Sequence, residues 1–175
     1  MKKKTIAIVP AFNEQATIGD VVKNLRRYVH RVIVISDASW DKTERIAKKN
    51  KAIVLKNKIN LGPDKSTEKG INKALNLKYK FLITFDADGQ HPYNKIPTFL
   101  KKLNSNKADI VVGQRKWFPR FSEYFFSFYS KNKIGVQDPI NGFKAIKSEV
   151  VNKIGYFDKI DSSTSQILFN AHRLG

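Results

Sequence analysis

Apolar and polar positions come in blocks along the chain, and the period of each block names its element. Residues 5–10 (TIAIVP), 32–35 (VIVI), 52–55 (AIVL), 81–85 (FLITF) and 109–113 (DIVVG) are short, β-prone apolar runs bounded by polar turns, as in strands covered on both faces. Between them the period becomes helical. Residues 17–28 put Ile18, Val21, Val22 and Leu25 on one stripe, with Lys23, Arg26 and Arg27 opposite. Residues 41–50 begin with acids and end in lysines, as a helix dipole favours, and residues 66–77 turn Ile71, Ala74 and Leu75 inward. Two more helices are expected at 93–103, behind Pro92, and at 164–174. This alternation predicts one α/β domain spanning 1–175, a doubly wound, mostly parallel sheet with helices on both faces.

Ligands in such sheets bind outside the carboxyl ends of the strands. Three of those ends carry acids within a few residues: Glu14, Asp37, and Asp86 with Asp88. Side chains alternate along a strand, so Asp86 and Asp88 are expected to project to one side as a chelating pair, with Gln90 able to add a third oxygen. Oxygen donors suit a hard divalent cation, Mg²⁺ or Mn²⁺, which keeps positions for water and phosphate. The plainer reading is an aspartate at a strand end capping the next turn.

Composition narrows the field. The chain has no cysteine, which removes disulfides, thiolate metal sites and a cysteine nucleophile and fits a reducing compartment. Thirty-three Lys and Arg against fifteen Asp and Glu give a formal charge of +18. The lysines are spread over nearly every expected helix and loop, without a recognition-helix pattern, RNP-like aromatics or zinc spacing, which argues against nucleic acid. A solvated lysine surface is the simple account; an anionic membrane or a phosphate-bearing substrate would also be attracted. No glycine-rich dinucleotide fingerprint follows the first strand, and no P-loop sequence is present.

Five motifs in order resemble the family 2 glycosyltransferases of GT-A fold, and among them the polyprenyl-phosphate sugar transferases similar to dolichyl-phosphate mannose synthase. They are VPAFNE at 9–14, SDASWDKT at 36–43, DADGQHP at 86–92, VGQR at 112–115 and DPINGFK at 138–144. The resemblance implies a metal-dependent, inverting transferase that moves a sugar from a nucleotide-sugar donor to a polyprenyl phosphate or related cell-envelope acceptor. Pro10, Ala11, Phe12, Glu14, Asp37 and Asp86 would bind the donor, and Asp86, Asp88 and Gln90 the metal and diphosphate. Arg115 and Arg120 would position a lipid phosphate. A sugar hydroxyl as acceptor would instead need Asp138 as base. Asp88, Arg115 and Asp138 are thus the candidate catalytic groups. Ser36 stands where the family often has its first aspartate, and Pro63 and Asp64 replace its usual Lys-Gly. The family continues past the point matching Gly175 with a strand, an arginine-containing loop and often membrane helices. A truncated nucleotide-binding remnant is therefore the non-enzyme alternative.

Residues 117–129 (WFPRFSEYFFSFY) hold eight of the chain's twenty aromatic residues. Phe118, Phe121, Phe125 and Phe128 recur at helical spacing among Arg115, Lys116, Arg120, Lys131 and Lys133, the make-up of a helix lying in a membrane interface. Packing on the sheet, or on a second copy in a homodimer, is the alternative. A peripheral protein at the cytoplasmic, inner face of the membrane is the expected setting.

Overall fold

The computed structural model describes residues 1–115, 121–155 and 163–174. Six strands form one sheet: β1 (Thr5–Ala11), β2 (Arg31–Asp37), β3 (Ile53–Asn57), β4 (Phe81–Thr84), β5 (Ile110–Val112) and β6 (Lys144–Lys147). The spatial order is β3-β2-β1-β4-β6-β5; β6 alone runs against the others, antiparallel to both β4 and β5. Helices α1 (Ile18–Tyr28), α2 (Thr43–Lys49), α3 (Gly62–Asn76), α4 (Ile96–Asn104), α5 (Phe121–Ile134), α6 (Ser148–Ile154) and α7 (Ser163–Arg173) complete the chain.

The alternation along the strands sorts the core into two layers. Ala7, Val9, Val32, Val34, Phe81 and Ile83 face α1 and α4, meeting Val21, Val22, Leu25 and Leu100. Ile6, Ile8, Ile33, Ile35, Leu82 and Ile146 face the other way and meet Ile71, Ala74 and Ile167 of α3 and α7. Helix α3 lies so close to the sheet that a Cβ at Gly70 would collide with Ile8 and Ile35. The doubly wound α/β expectation is met.

Three details depart from the sequence reading. Strand β6 and helix α6 were not expected, because Lys144 and Lys147 at the ends of β6 are buried, against the usual preference of lysine for solvent. Helix α3 starts at Gly62, inside the expected turn at 60–64, with Pro63 in its first turn, where a missing N–H costs nothing. Strand β4 stops at Thr84, although the Phe85 amide still donates to the Ile8 carbonyl at 3.0 Å. Asp86 and Asp88 therefore sit on a turn beyond the strand, and strand alternation is not what brings them together.

Candidate donor and acceptor site

Strands are added in one direction from β1 to β3 and in the other from β4, so the strand order switches between the parallel neighbours β1 and β4, and a cleft opens at their carboxyl ends. It measures about 350 Å³ and is lined by Pro10 and Ala11 of β1, Phe12 and Glu14 in the turn after it, Asp37 from β2, Asn60, Gly62 and Pro63 around the start of α3, and Asp86, Ala87 and Asp88. All six residues expected to bind the donor are in that lining, together with Asp88. Gln90 is exposed beside it, and its amide donates to Asp88 Oδ1 at 2.9 Å, an aspartate turn that orients the carboxylate.

Asp37 is buried, and its carboxylate accepts three hydrogen bonds. Its Oδ1 accepts from Asn57 Nδ2 (2.7 Å) and the Leu61 amide (2.9 Å), and its Oδ2 from the Gly62 amide (2.8 Å). Burial raises its pKa, but hydrogen bonds from Asn57, Leu61, Gly62 and Ser66 outweigh that and hold the carboxyl below its ordinary value. Asp37 thus fastens the amino end of α3 to the sheet and shapes one wall of the cleft. Asp37→Ala is expected to cost about 2 kcal/mol of stability by leaving these donors unmet, read as a lower urea midpoint. An unchanged midpoint would confine Asp37 to ligand contact.

The first wall is built in the same way. The Glu14 amide donates to Thr43 Oγ1 (2.8 Å), Glu14 Oε2 accepts from Thr17 Oγ1 (2.8 Å), and the Asn13 amide donates to Ser39 Oγ (3.1 Å). Asn13 and Ala38 both adopt positive φ, 55° and 58°, in these turns. Phe12 packs edge-to-face on Trp40 with ring centroids 5.1 Å apart, and both rings are exposed. Trp40 offers an aromatic surface that the motif reading left without a role.

The opposite wall depends on partners that the motifs do not reveal. Asp86 Oδ2 meets His91 Nε2 at 2.7 Å, and the imidazole is wedged against Phe85 and Phe143. The Asp86 carboxylate rests on the backbone of Gly142, where a Cβ would collide with both of its oxygens. Among the described residues no three His, Cys, Asp or Glu side chains are gathered as a metal cluster. The donor set on offer is two carboxylates and an amide, all oxygen, on the rim of a cleft large enough for phosphate and water. Those residues fit a magnesium- or manganese-type ion that completes its shell from a substrate.

Arg115 and Asp138, given separate tasks by the sequence, are each other's partners. Arg115 donates from Nε to Asp138 Oδ2 and from a terminal guanidinium nitrogen to Oδ1, both at 2.9 Å, and its amide adds a third bond at 3.1 Å. Asn141 Nδ2 donates to Asp138 Oδ2 at 3.0 Å, and Glu123 makes an ion pair with Arg115 at 3.0 Å. The Asp138 side chain has no exposed surface. Its burial raises the pKa, yet Arg115 and Asn141 hold the carboxyl below its ordinary value, and Arg115 is raised by the same pair. A carboxylate so held is a poor proton acceptor. Arg120 lies outside the described residues.

The chain belongs to glycosyl transferase family 2: the family's sequence model matches residues 6–155. Among its relatives is an uncharacterized protein of Methanocaldococcus jannaschii, 38% identical, the match covering 87% of this chain and 76% of the relative. The UDP-N-acetylglucosamine–dolichyl-phosphate N-acetylglucosaminyltransferase of Methanococcus voltae is 32% identical over 62% of this chain, which spans half of that protein's length. Among solved structures, glucosyl-3-phosphoglycerate synthase of Mycobacterium tuberculosis, determined with Mn²⁺, UDP-glucose and glycerol 3-phosphate, superposes with a TM-score of 0.69 at 21% identity. The likeness covers 85% of this chain and 58% of that one, and it establishes the GT-A fold.

Proposed function

We propose that the cleft binds a nucleotide sugar with a divalent cation and that the acceptor is a polyprenyl phosphate met at a membrane surface. The observation that carries this is that Phe12, Glu14, Asp37, Asp86 and Asp88 line one cleft together. Phe12, Glu14 and Asp37 hold the nucleoside, while Asp86 and Asp88, with Gln90, hold the cation at the diphosphate. A cation bound there supplies Lewis-acid stabilisation of charge on the departing diphosphate. His91 keeps the Asp86 carboxylate aimed, and the turn at Asp88 and Gln90 keeps its neighbour aimed, so little reorganisation accompanies the charge build-up. An acceptor phosphate attacks the sugar's C1 as an anion, from the face opposite the diphosphate, and needs no base. This favours a lipid phosphate over a sugar hydroxyl, because the one candidate base, Asp138, is buried and paired with Arg115.

Helix α5 supports the membrane contact. Its buried positions include Ser127 and Ser130, whereas Tyr124, Phe125, Phe128 and Tyr129 are each more than half exposed. That inverts the usual polarity of a surface helix. Lys131 and Lys133 follow in the last turn, as cations do beside lipid headgroups. No helix among the described residues is long and apolar enough to cross a membrane. Anionic vesicles are expected to carry the protein in flotation, and Phe125→Ser with Phe128→Ser to lose about 3 kcal/mol of that binding, on the order of 10²-fold in partition. Equal flotation of parent and double variant would assign the face to a protein partner instead.

A further inference from the structure

Lys144 is the one ionisable side chain with no exposed surface in the unexpected strand β6 that no motif role absorbs. It has no exposed surface, and it lies on the α3 side of the sheet, two residues before Ile146 of that layer. Its Nζ donates to the Asn141 carbonyl, its one side-chain hydrogen bond among the described residues. A buried ammonium with two further N–H groups is costly unless neighbouring charge compensates it. Burial lowers the lysine's pKa to about 8, and the charges of Asp64, Asp86 and Asp138 offset that in part. A methionine would fill the same space without the desolvation cost, so the charge itself calls for an account.

The turn that Lys144 grips touches both halves of the site. Gly142 bears on the Asp86 carboxylate, and its carbonyl accepts from Thr84 Oγ1 at 2.6 Å. The side chain of Asn141 binds Asp138, and its carbonyl is the one that Lys144 holds. The Lys144 amide closes the loop on Thr84 Oγ1 at 3.2 Å. Movement of this turn toward the cleft would push Asp86, and movement away would release Asn141 from Asp138.

We propose that Lys144 is a positioning residue: its buried ammonium clamps the turn at Asn141 and Gly142, so that Asp86 on the donor side and the Arg115–Asp138 pair on the acceptor side are held in one register. Resting on the donor-site reading above, it adds a residue that touches neither substrate. The Asp64 carboxylate supplies part of the countercharge from α3.

The test is calorimetry with UDP and with GDP, each with and without Mn²⁺, on the parent, Lys144→Met and Gly142→Ala. Lys144→Met is expected to weaken the Mn²⁺-dependent part of diphosphate binding roughly 10- to 100-fold, the range for loss of a group that orients a metal ligand. Binding of UMP or GMP without metal should stay within about 2-fold, which general loosening of the fold would not spare. Gly142→Ala keeps the lysine but displaces the carboxylate, and the same selective loss is expected. If Gly142→Ala retains the full Mn²⁺ increment, the turn does not set Asp86 and the proposal falls, even where Lys144→Met fails to fold. A Lys144→Met protein that binds like the parent overturns the clamp alone. A parent that binds neither diphosphate contradicts the donor site itself, and the clamp with it.

Discussion

Asp88→Asn is expected to lower the rate of sugar transfer by about 10²- to 10³-fold, the scale for loss of one preorganised electrostatic contact at a developing charge. Asp88 is exposed on the cleft rim, where its carboxylate accepts only from the Gln90 amide among the described residues. The substitution keeps the shape and that hydrogen bond but removes the charge that a cation needs. Stability should stay within about 0.5 kcal/mol, as for other surface positions. Rate and fold are then affected separately, which a thermal melt beside a donor-hydrolysis assay will register. Full activity in the variant, or activity indifferent to EDTA in the parent, would remove the metal from the site.

Replacing Arg115 by Met should instead destabilise the protein by on the order of 3 kcal/mol, because it leaves the Asp138 carboxylate buried without its cation. The Arg115 amide and Asn141 would remain as donors, which keeps the cost from being larger. Adding Asp138→Asn removes the stranded charge, so the double variant is expected to recover part of the loss in urea denaturation. There is a pH signature as well. The Asp138 carboxyl titrates below its ordinary value of 3.8 in the folded protein, so its contribution is present above that value and is lost as pH falls through the folded pKa. Arg115→Met should flatten that acid limb. A variant as stable as the parent would mean that Arg115 serves only the acceptor.

The parts of this protein that depend on neighbours in sequence were legible from it. Strands β1 to β5 and helix α1 follow from period and β-branching, and Glu14, Asp37, Asp86 and Asp88 do gather at one cleft. What depends on contacts across the chain was not. Asp37 starts α3 by accepting from amides 24 and 25 residues away, so the helix begins where turn residues cluster. Strand β6 was hidden by lysines whose compensating acids lie far along the chain: Asp109 for Lys147, and Asp64 and Asp86, in part, for Lys144. The pairing of Arg115 with Asp138 spans 23 residues and has no periodic signature. His91 stood within a recognised motif, but only the fold turns its ring onto Asp86. The aromatic spacing at 117–129 indicated a helix, and residues 121–134 form one; its exposed rings come from the packing of serines inward.

Transfer itself is the most direct measurement of the central claim. The protein would be incubated with UDP- and GDP-sugars labelled in the sugar, with Mn²⁺ or Mg²⁺, and with vesicles containing a polyprenyl phosphate, and the label followed into the organic phase. Lipid-extractable label from one of these donors, with release of its nucleoside diphosphate and loss of both on adding EDTA, is the predicted result. Label that stays in water with every donor, or that moves to a glycan hydroxyl and never to the lipid phosphate, would contradict it.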